Sequence, residues 1–399
     1  MAYEQAYVFA SAADGRHQWV GTIKASQGAG SFQYSEPWLA AGQAYALDPV
    51  NLPLLSSKSY RALNRYGLFG VFRDAAPDDW GRRIMLLNNR HAPANELERL
   101  LRTSGGGVGC LRFSLSRKQV KDPAVLPTMA RIQALAEAAE KLEARQALAP
   151  EELALIEPGS SMGGARPKVT VTDGDARWLV KFSKTTDLVD VPLLEYCCMQ
   201  FLQKEIGLNI PQTRLIKLAD QHAFAIKRFD NGKHFISANS LFNQDRIRIL
   251  EDSSRNPYSY CNLAGIIRKH CAEYKEDCSE LFKRMLANIV MGNTDDHARN
   301  HALIYNVEQG KWLLSPAYDM LPIVATQTRV QAMGVGRYGP NSTVENALSY
   351  ANLFGLKSNE AKGVAEQVLK TFHLKWIDFC AENGMSEMDC NLVERVMLR

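Results

Sequence analysis

The stretch Gly292-Asn293-Thr294-Asp295-Asp296-His297-Ala298-Arg299-Asn300-His301 follows a run of residues, 281–291, with the apolar repeat of a buried helix. The apolar positions that share one helical face are Leu281, Met285, Leu286, Ile289 and Val290. Gly292 comes directly after this run, as a glycine at a helix C-terminus does. The sequence therefore predicts a buried helix that ends at Gly292 and a short polar loop that carries Asp295, His297 and Asn300.

A second acidic motif, Leu314-Ser315-Pro316-Ala317-Tyr318-Asp319, follows the loop, and we expect Asp319 to lie on a strand. Phosphoryl transfer needs one carboxylate to receive the proton of the attacking hydroxyl. It also needs an amide oxygen and a second carboxylate to hold magnesium on the phosphates. Asp295, Asn300 and Asp319 have the side chains for these roles. The loop could instead cap a helix or bind a structural metal, so the motif alone leaves both interpretations open.

The length and composition of the chain are those of a globular protein with more than one subdomain. Its 399 residues exceed a typical single core, so we expect two or three subdomains. Hydrophobic residues make up 46% and charged residues 23%, which is ordinary for a soluble protein. The net charge of +4 permits contact with nucleic acid but does not argue for it.

The eight cysteines show neither CxxC pairs nor zinc-ligand spacing, which favours reduced, buried thiols. The first residues lack the basic and apolar segments of a signal peptide. No apolar run reaches the length of about 18 residues that a membrane helix needs. We therefore expect a cytoplasmic protein without membrane partners.

The N-terminal part of the chain alternates like a small antiparallel sheet, with strands predicted at 6–10, 19–23 and 30–34. A helix is predicted at 80–87, for which Asp78 could be the N-cap. Further helices are predicted at 94–103, 129–147 and 150–156, and a strand around 111–113.

A loop of small residues, Ser161-Met162-Gly163-Gly164-Ala165-Arg166-Pro167-Lys168, leads into a predicted hairpin of strands 169–172 and 178–182. Such a loop can bring backbone N–H groups and two lysines, Lys168 and Lys181, onto phosphates. It is not a Walker loop, because no strand-to-helix GxxxxGK[ST] motif is present. A flexible linker before an ordinary hairpin is the alternative interpretation.

The segments from residue 193 to residue 232 also have features of a kinase. A predicted helix at 193–206 carries Glu195, which could pair with Lys181 as the helix-borne glutamate of kinases does, or could be solvated. A strand is predicted at 223–230, with a turn at Asn231-Gly232, where a kinase chain passes the adenine. The remainder of the chain is predicted to be mostly helical.

Four of these stretches together resemble the HipA family of serine/threonine kinase toxins from bacterial toxin–antitoxin modules. They are Phe72-Arg73-Asp74-Ala75-Ala76-Pro77-Asp78-Asp79-Trp80-Gly81, the 161–168 loop, Asn293-Thr294-Asp295-Asp296-His297-Ala298-Arg299-Asn300 and Ser315-Pro316-Ala317-Tyr318-Asp319. They occur in family order and span residues 1 to about 330, whereas the C-terminal part resembles the family only in being helical.

The resemblance implies an α+β, two-lobed protein-kinase-like fold with an extra N-terminal β-rich subdomain and a helical C-lobe. The corresponding domains are 1–115 for the N-terminal subdomain, 116–230 for the rest of the N-lobe, and 231–399 for the C-lobe. We expect the phosphate loop and the ATP lysine in the second of these domains, and the catalytic loop in the third.

The resemblance also implies the roles of individual residues. Asp295 is the expected proton acceptor, Asn300 and Asp319 are the expected Mg²⁺ ligands, and Asp296 has no matched role. The residues expected to bind ATP are Gly163, Gly164, Ala165, Arg166, Lys168, Lys181, Lys227, Arg228, Phe229, His297 and Tyr318. Ser161 is the expected autophosphorylation site, with Ser160 as the neighbouring alternative.

The implied function is an ATP-dependent serine/threonine kinase that arrests growth, with an aminoacyl-tRNA synthetase as a possible substrate. The implied partner is a helix-turn-helix antitoxin, through which the pair sits on operator DNA. The alternatives are a non-catalytic co-repressor beside such a partner and a small-molecule kinase on the same fold. A metal hydrolase using Asp295, Asp296, His297 and His301 would leave the 161–168 loop and Lys181 unexplained.

Overall fold

The structure is a computed structural model that describes two compact units. The first unit is Met1–Lys184, Lys227–Arg246 and Leu303–Lys311, and the second is Thr185–Ile226, Ile247–Ala302 and Trp312–Arg399. The predicted division at residues 115 and 230 follows chain order and stays a prediction. The residues described are 3–11, 16–26, 29–55, 58–62, 64, 66–77, 79–88, 91–103, 107–159, 164, 166–242, 256–325 and 328–398.

The described residues form twelve strands and thirteen α-helices, with short 3₁₀ segments and a π-helical turn. The strands are β1 (Gln5–Ser11), β2 (His17–Ser26), β3 (Ala29–Tyr34), β4 (Ser59–Ala62), β5 (Arg112–Ser114), β6 (Lys168–Asp173), β7 (Ala176–Phe182), β8 (Thr213–Lys217), β9 (His222–Lys227), β10 (His234–Ser237), β11 (Ala302–Asn306) and β12 (Lys311–Leu314).

The helices are α1 (Glu36–Leu39), α2 (Gly70–Asp74), α3 (Asp79–Asn88), α4 (Glu96–Leu101), α5 (Ile132–Glu143), α6 (Pro150–Ile156), α7 (Val191–Phe201), α8 (Ala238–Leu241), α9 (Tyr260–His270), α10 (Tyr274–Met291), α11 (Val344–Ser349), α12 (Ser358–Glu382) and α13 (Glu387–Glu394). The π-helical turn is Leu202–Ile206, and the 3₁₀ segments are Met129–Arg131, Glu157–Gly159 and Ala351–Phe354.

The first unit is built on an antiparallel sheet with strand order β4-β3-β2-β1-β5. Successive side chains of a strand point to opposite faces. Accordingly, Phe32 and Tyr34 of β3 are buried, whereas Gln33 between them is exposed. The ring of Phe72 on α2 packs on Phe32 with centroids 5.0 Å apart, which closes the core over this face. The predicted antiparallel sheet is therefore confirmed.

The helices predicted in the first unit are present, and the predicted and observed ends of α6 agree, whereas those of α5 differ by three and four residues. Helix α4 begins after Asn95, whose side chain accepts a hydrogen bond from the Glu98 backbone. Such an N-cap satisfies one of the donors that a helix start leaves without a partner. Asp78, the predicted cap of α3, lies outside the described residues.

The strand predicted at 223–230 ends at Lys227, three residues early. Just beyond this end, the buried guanidinium of Arg228 binds the Asp230 carboxylate two residues further along. Although burial favours the neutral acid, the Arg228 charge holds the pKa of Asp230 below its ordinary value. A buried charge needs such a partner.

The second unit is organised around α10, whose apolar face is buried from Cys278 to Met291. Helices α9, α11 and α12 pack against it. Phe201 at the end of α7 packs against Phe372 and Trp376 of α12, with ring centroids 4.9 and 5.2 Å apart. Gly292 ends α10 with a φ of 75°, so the predicted buried helix and its glycine terminus are both confirmed.

The region after residue 230 is mostly helical, as predicted, and it also contains the short strands β10, β11 and β12. One prediction for this region was wrong. Asp319 does not lie on a strand, because β12 ends at Leu314. Pro316 has no N–H to donate to a strand ladder, and Asp319 itself has a φ of 60°, far from extended geometry.

All eight cysteines are free thiols, and seven of them are buried, with Cys261 half-buried. The predicted burial of the thiols is therefore confirmed for seven of the eight. No helix in the described part of the chain is both long enough and apolar enough to cross a membrane.

Glycine-to-alanine substitutions at Gly292 and Gly363 should change the free energy of unfolding in opposite directions. Gly292→Ala should lower the free energy of unfolding by about 1 to 2 kcal/mol or more, because a side chain at positive φ is strained. The added Cβ would also overlap the carbonyl of Val396. Urea unfolding monitored by circular dichroism measures the change.

Gly363→Ala is the matched control, since Gly363 lies inside α12 and its added Cβ would have nothing within 4 Å. This change should raise the free energy of unfolding by roughly 0.5 to 1 kcal/mol. Equal effects at the two glycines would contradict the role of the left-handed turn.

Candidate active site

The loop after α10 alternates between exposed and buried residues. Asp295 and His297 are exposed, whereas Thr294, Asp296 and Asn300 are buried. The exposed side chains are accessible to a ligand, and the buried ones contact the interior of the unit. The predicted proton acceptor, Asp295, is thus exposed to solvent, whereas neighbouring side chains of the loop are buried in the unit.

Hydrogen bonds fix the start of this loop to its surroundings in the second unit. At its start, the Asn293 backbone N–H donates to the Asn288 carbonyl at 2.9 Å, and the Asn293 amide donates to the Asn288 side chain at 3.0 Å. Ala332 N–H donates to the Thr294 carbonyl at 3.0 Å. The start of the loop is therefore held by α10 and by the segment around residue 332.

A buried polar network lies directly under the loop. The Asp296 carboxylate accepts hydrogen bonds from the Tyr260 hydroxyl and from His301 Nε2, the latter at 2.7 Å. Tyr260 in turn accepts from the Asn288 amide at 3.5 Å. Burial favours neutral Asp296, but the His301 charge and these hydrogen bonds hold its pKa below the ordinary value.

Sequence reasoning missed this network, since it assigned Asp296 no role. Asp296 is adjacent to the predicted proton acceptor, Asp295, so it anchors the backbone from which that side chain projects. Its partner Tyr260 comes from α9 and is distant along the chain. No local pattern in the sequence indicates such a contact. The network also engages two of the four ligands of the metal-hydrolase interpretation, Asp296 and His301.

The segment that carries Asp319 is fixed by a buried arginine of α10. Arg284 Nη2 donates to the Ser315 carbonyl at 2.9 Å and is paired with Glu280. Ala317 N–H donates to the Asn209 carbonyl at 2.8 Å. Asp319 then adopts the left-handed conformation, which Asp tolerates better than most residues and which occurs often at functional sites.

A hydrogen bond links the two predicted metal-binding segments. The Tyr318 hydroxyl donates to the Arg299 carbonyl at 2.8 Å. Asn300 and Asp319 are the residues that follow these two in the chain. The structure therefore brings the segments of Asn300 and Asp319 together within the second unit. Tyr318 is also predicted to approach a nucleotide, and that role stays a prediction.

In the first unit, the two predicted phosphate-binding lysines are direct partners in the hairpin. Lys168 of β6 lies opposite Lys181 of β7, and both residues are buried. Directly opposite residues of an antiparallel pair share one face of the sheet. The structure thus places two ammonium side chains on one side of the hairpin, whereas their binding of phosphates stays a prediction.

Trp80 supports the loop before this hairpin, a role that sequence reasoning did not assign. Its indole N–H donates to the Lys168 carbonyl at 2.7 Å, and its backbone N–H donates to the Gly164 carbonyl at 3.2 Å. Trp80 is fully buried on α3. It belongs to the 72–81 stretch, so the family resemblance was the one signal that pointed to it.

Gly164 has a φ of 107°, a backbone conformation in which a residue with a side chain would be strained. An added Cβ would also overlap the Lys168 ammonium. Arg166 Nη1 donates to the Phe182 carbonyl at 3.2 Å, at the end of β7. Four other predicted residues of the loop lie outside the described part of the chain: Ser160, Ser161, Gly163 and Ala165.

The three residues predicted near adenine differ in their surroundings. Lys227 is exposed and Phe229 is half-buried, so both are accessible. Arg228 is buried and, besides Asp230, donates from Nη2 to the Gly107 carbonyl at 2.8 Å. Its guanidinium therefore fixes the structure of the first unit. Glu195 is buried on α7, and its pairing with Lys181 stays a prediction.

Comparison with known families covers most of the chain. Residues 15–114 match the HipA N-terminal domain, and residues 160–376 match the HipA-like C-terminal domain. The second match alone spans more than half of the chain. It contains the Lys168–Lys181 hairpin, the loop after α10 and the Asp319 segment.

Two curated relatives are similar at low identity. "Putative kinase Y4mE" of Sinorhizobium fredii is 23% identical over 74% of this chain and 72% of its own length. A "Putative kinase" of Haemophilus influenzae is 27% identical over 32% of this chain, and the match spans 40% of that protein.

A solved structure of similar fold is the Shewanella oneidensis complex of the toxin–antitoxin proteins HipA and HipB with operator DNA. It matches with a TM-score of 0.69 and 15% identity, over 98% of this chain and 96% of the matched chain. This likeness confirms the predicted α+β, kinase-like fold. With both domain models matched in order, the C-terminal one over more than half of the sequence, the chain belongs to the HipA family.

Proposed function

We propose that this protein is an ATP-dependent serine/threonine protein kinase. The observation that carries the proposal is the Tyr318–Arg299 hydrogen bond, which joins the segments of Asn300 and Asp319 beside the exposed Asp295 loop. A base carboxylate, an amide oxygen and a second carboxylate are the protein groups that phosphoryl transfer uses. Membership of the HipA family and the names of the two relatives support the same activity.

The side chains fit Mg²⁺ as the metal. Mg²⁺ prefers oxygen ligands, and it is usually held by one or two protein groups together with substrate phosphates and water. The Asn300 amide and the Asp319 carboxylate supply two such oxygens. When bound there, Mg²⁺ would neutralise charge on the phosphates.

Asp295 is the group that receives the proton of the attacking hydroxyl. It is exposed, so a protein substrate can approach it, whereas the adjacent Asp296 is buried and engaged below the loop. On the nucleotide side, Lys181 and Lys168 bind phosphate oxygens, with Arg166 and the backbone at Gly163, Gly164 and Ala165. Lys227, Phe229, His297 and Tyr318 contact the rest of the nucleotide.

The biological role that best fits this activity is growth arrest by a toxin with a helix-turn-helix antitoxin as its partner. The Shewanella HipA structure is a complex with HipB and operator DNA, which supports a corresponding partner here, with DNA bound through it. The substrate class we propose is a translation protein such as an aminoacyl-tRNA synthetase.

Removing either carboxylate should abolish the activity without unfolding the protein. Asp295→Asn and Asp319→Asn should each lower the initial rate of phosphoryl transfer from labelled ATP by on the order of 10²-fold or more. Asp220→Asn changes an exposed carboxylate in the turn between β8 and β9, and it should leave the rate unchanged. Rates like wild type in the Asp295 or Asp319 variant would exclude the proposed roles.

The same variants test the toxin role in cells. Expression of the wild-type chain without a partner should slow bacterial growth, and expression of the Asp295 variant should not. If both are harmless while the purified protein transfers phosphate, the kinase assignment stands and the toxin assignment fails.

Asp296→Asn should act mainly on stability, because Asp296 is buried and accepts hydrogen bonds from Tyr260 and His301. Since the amide lacks the charge and one of the acceptor oxygens, we expect a loss of about 1 to 3 kcal/mol in the free energy of unfolding. Chemical denaturation measures this loss, and Asp295→Asn is the control, since Asp295 is exposed. If Asp295→Asn lowered the free energy of unfolding as much as Asp296→Asn, the proposed structural role of Asp296 would be contradicted.

Self-inactivation at Ser161 is the regulatory part of the proposal. A phosphate on Ser161 adds roughly −1.5 to −2 charges at neutral pH within the 161–168 loop, which is proposed to bind the ATP phosphates. Repulsion should then prevent nucleotide binding. Mass spectrometry after incubation with ATP should find the phosphate on Ser161, and Ser161→Ala, but not Ser160→Ala, should remain unmodified. A phosphorylated protein that binds ATP like the unmodified one would refute the mechanism.

A further inference from the structure

Residues 396–398 lie against the C-terminal end of α10, beside the start of the Asp295 loop. Leu398 N–H donates to the Val290 carbonyl at 2.7 Å. Val396 and Met397 are buried. This segment lies beyond residue 376, where the match to the HipA-like C-terminal domain ends, so the family comparison assigns it no role.

The contact supplies a donor that α10 lacks. The last carbonyls of a helix have no N–H partner within it. At the end of α10, the Asn288 carbonyl accepts from the Gly292 and Asn293 N–H groups, whereas the Val290 carbonyl accepts from Leu398. The Val396 carbonyl lies so close to Gly292 that a Cβ on this glycine would overlap it. The 396–398 segment therefore takes part in shaping the left-handed turn.

Two side chains from elsewhere in the unit hold the segment itself. Arg329 Nη2 donates to the Met397 carbonyl at 2.7 Å, and His373 Nε2 donates to the Leu398 carbonyl at 3.0 Å. The chain just after Arg329 also contacts the 292–300 loop, since Ala332 N–H donates to the Thr294 carbonyl. The segment and the loop are thus connected twice, through the end of α10 and through residues 329–332.

We propose that residues 396–398 position the 292–300 loop for catalysis, by fixing the end of α10 through the Leu398–Val290 hydrogen bond. They are positioning residues, because they act through the backbone that carries Asp295. This inference rests on the proposed kinase function for its catalytic consequence. A displacement of reacting groups by about 1 Å can lower a rate by about 10²-fold. A more mobile 292–300 loop should therefore lower kcat measurably.

The test compares two substitutions at Leu398 in the full chain. Leu398→Pro removes the N–H that donates to Val290, whereas Leu398→Ala keeps it and shortens the side chain. Leu398→Pro should lower kcat about 10-fold and leave the KM for ATP within about twofold. Leu398→Ala should leave both constants within about twofold of wild type.

A second variant removes a side chain that holds residues 396–398, and it does not introduce a proline. Arg329→Met deletes the donor to the Met397 carbonyl, and it should lower kcat in the same direction as Leu398→Pro. Hydrogen exchange of the amides at 292–300 should become faster in both variants and unchanged in Leu398→Ala. Exchange in α7 serves as the internal reference and should not change.

The outcomes separate this inference from the proposed function. Unchanged kcat and unchanged loop exchange in Leu398→Pro would overturn the inference, as would equal losses in Leu398→Pro and Leu398→Ala. If the wild-type protein transfers no phosphate, the proposed function fails. In that case loop exchange alone decides whether residues 396–398 fix the loop.

Discussion

The second unit depends on the left-handed turn at Gly292, where the buried helix α10 stops and the polar loop begins. A φ of 75° is open to glycine at no steric cost, and the nearby Val396 carbonyl leaves no room for a Cβ. Because the apolar face of α10 is buried along most of its length, the position of this turn is set by packing. The loop therefore begins at a fixed point and in a fixed direction.

The same helix supports both acidic segments of the candidate site. Asn288, near its end, holds Asn293 at the start of the loop, and Arg284, one turn earlier, holds the Ser315 carbonyl before Asp319. Arg284 is fully buried, and Glu280 compensates its charge. A buried charge without a partner would be costly, so this ion pair is what allows an arginine to act as a support inside the unit.

Within the loop, exposed side chains that are proposed to react or to bind the nucleotide alternate with a buried side chain that fixes the backbone. Asp295 and His297 are exposed, and Asp296 between them is directed into a buried network with Tyr260 and His301. The first unit has a comparable arrangement, in which the buried Trp80 supports the backbone of Lys168 and Gly164. In both units, a fully buried side chain with a hydrogen bond to the loop accompanies the residues proposed to bind or react.

The sequence alone was sufficient for features that depend on near neighbours in the chain. The apolar repeat of α10, its glycine end and the alternation in β1 to β3 are local patterns, and the structure confirms them. The early end of β9 and the non-strand position of Asp319 were mispredicted, although Pro316 was a local signal for the latter. The roles of Asp296, Trp80 and residues 396–398 became visible only in the tertiary structure. Each depends on a hydrogen bond between residues far apart in the chain, and such a contact leaves no periodic trace in a single sequence.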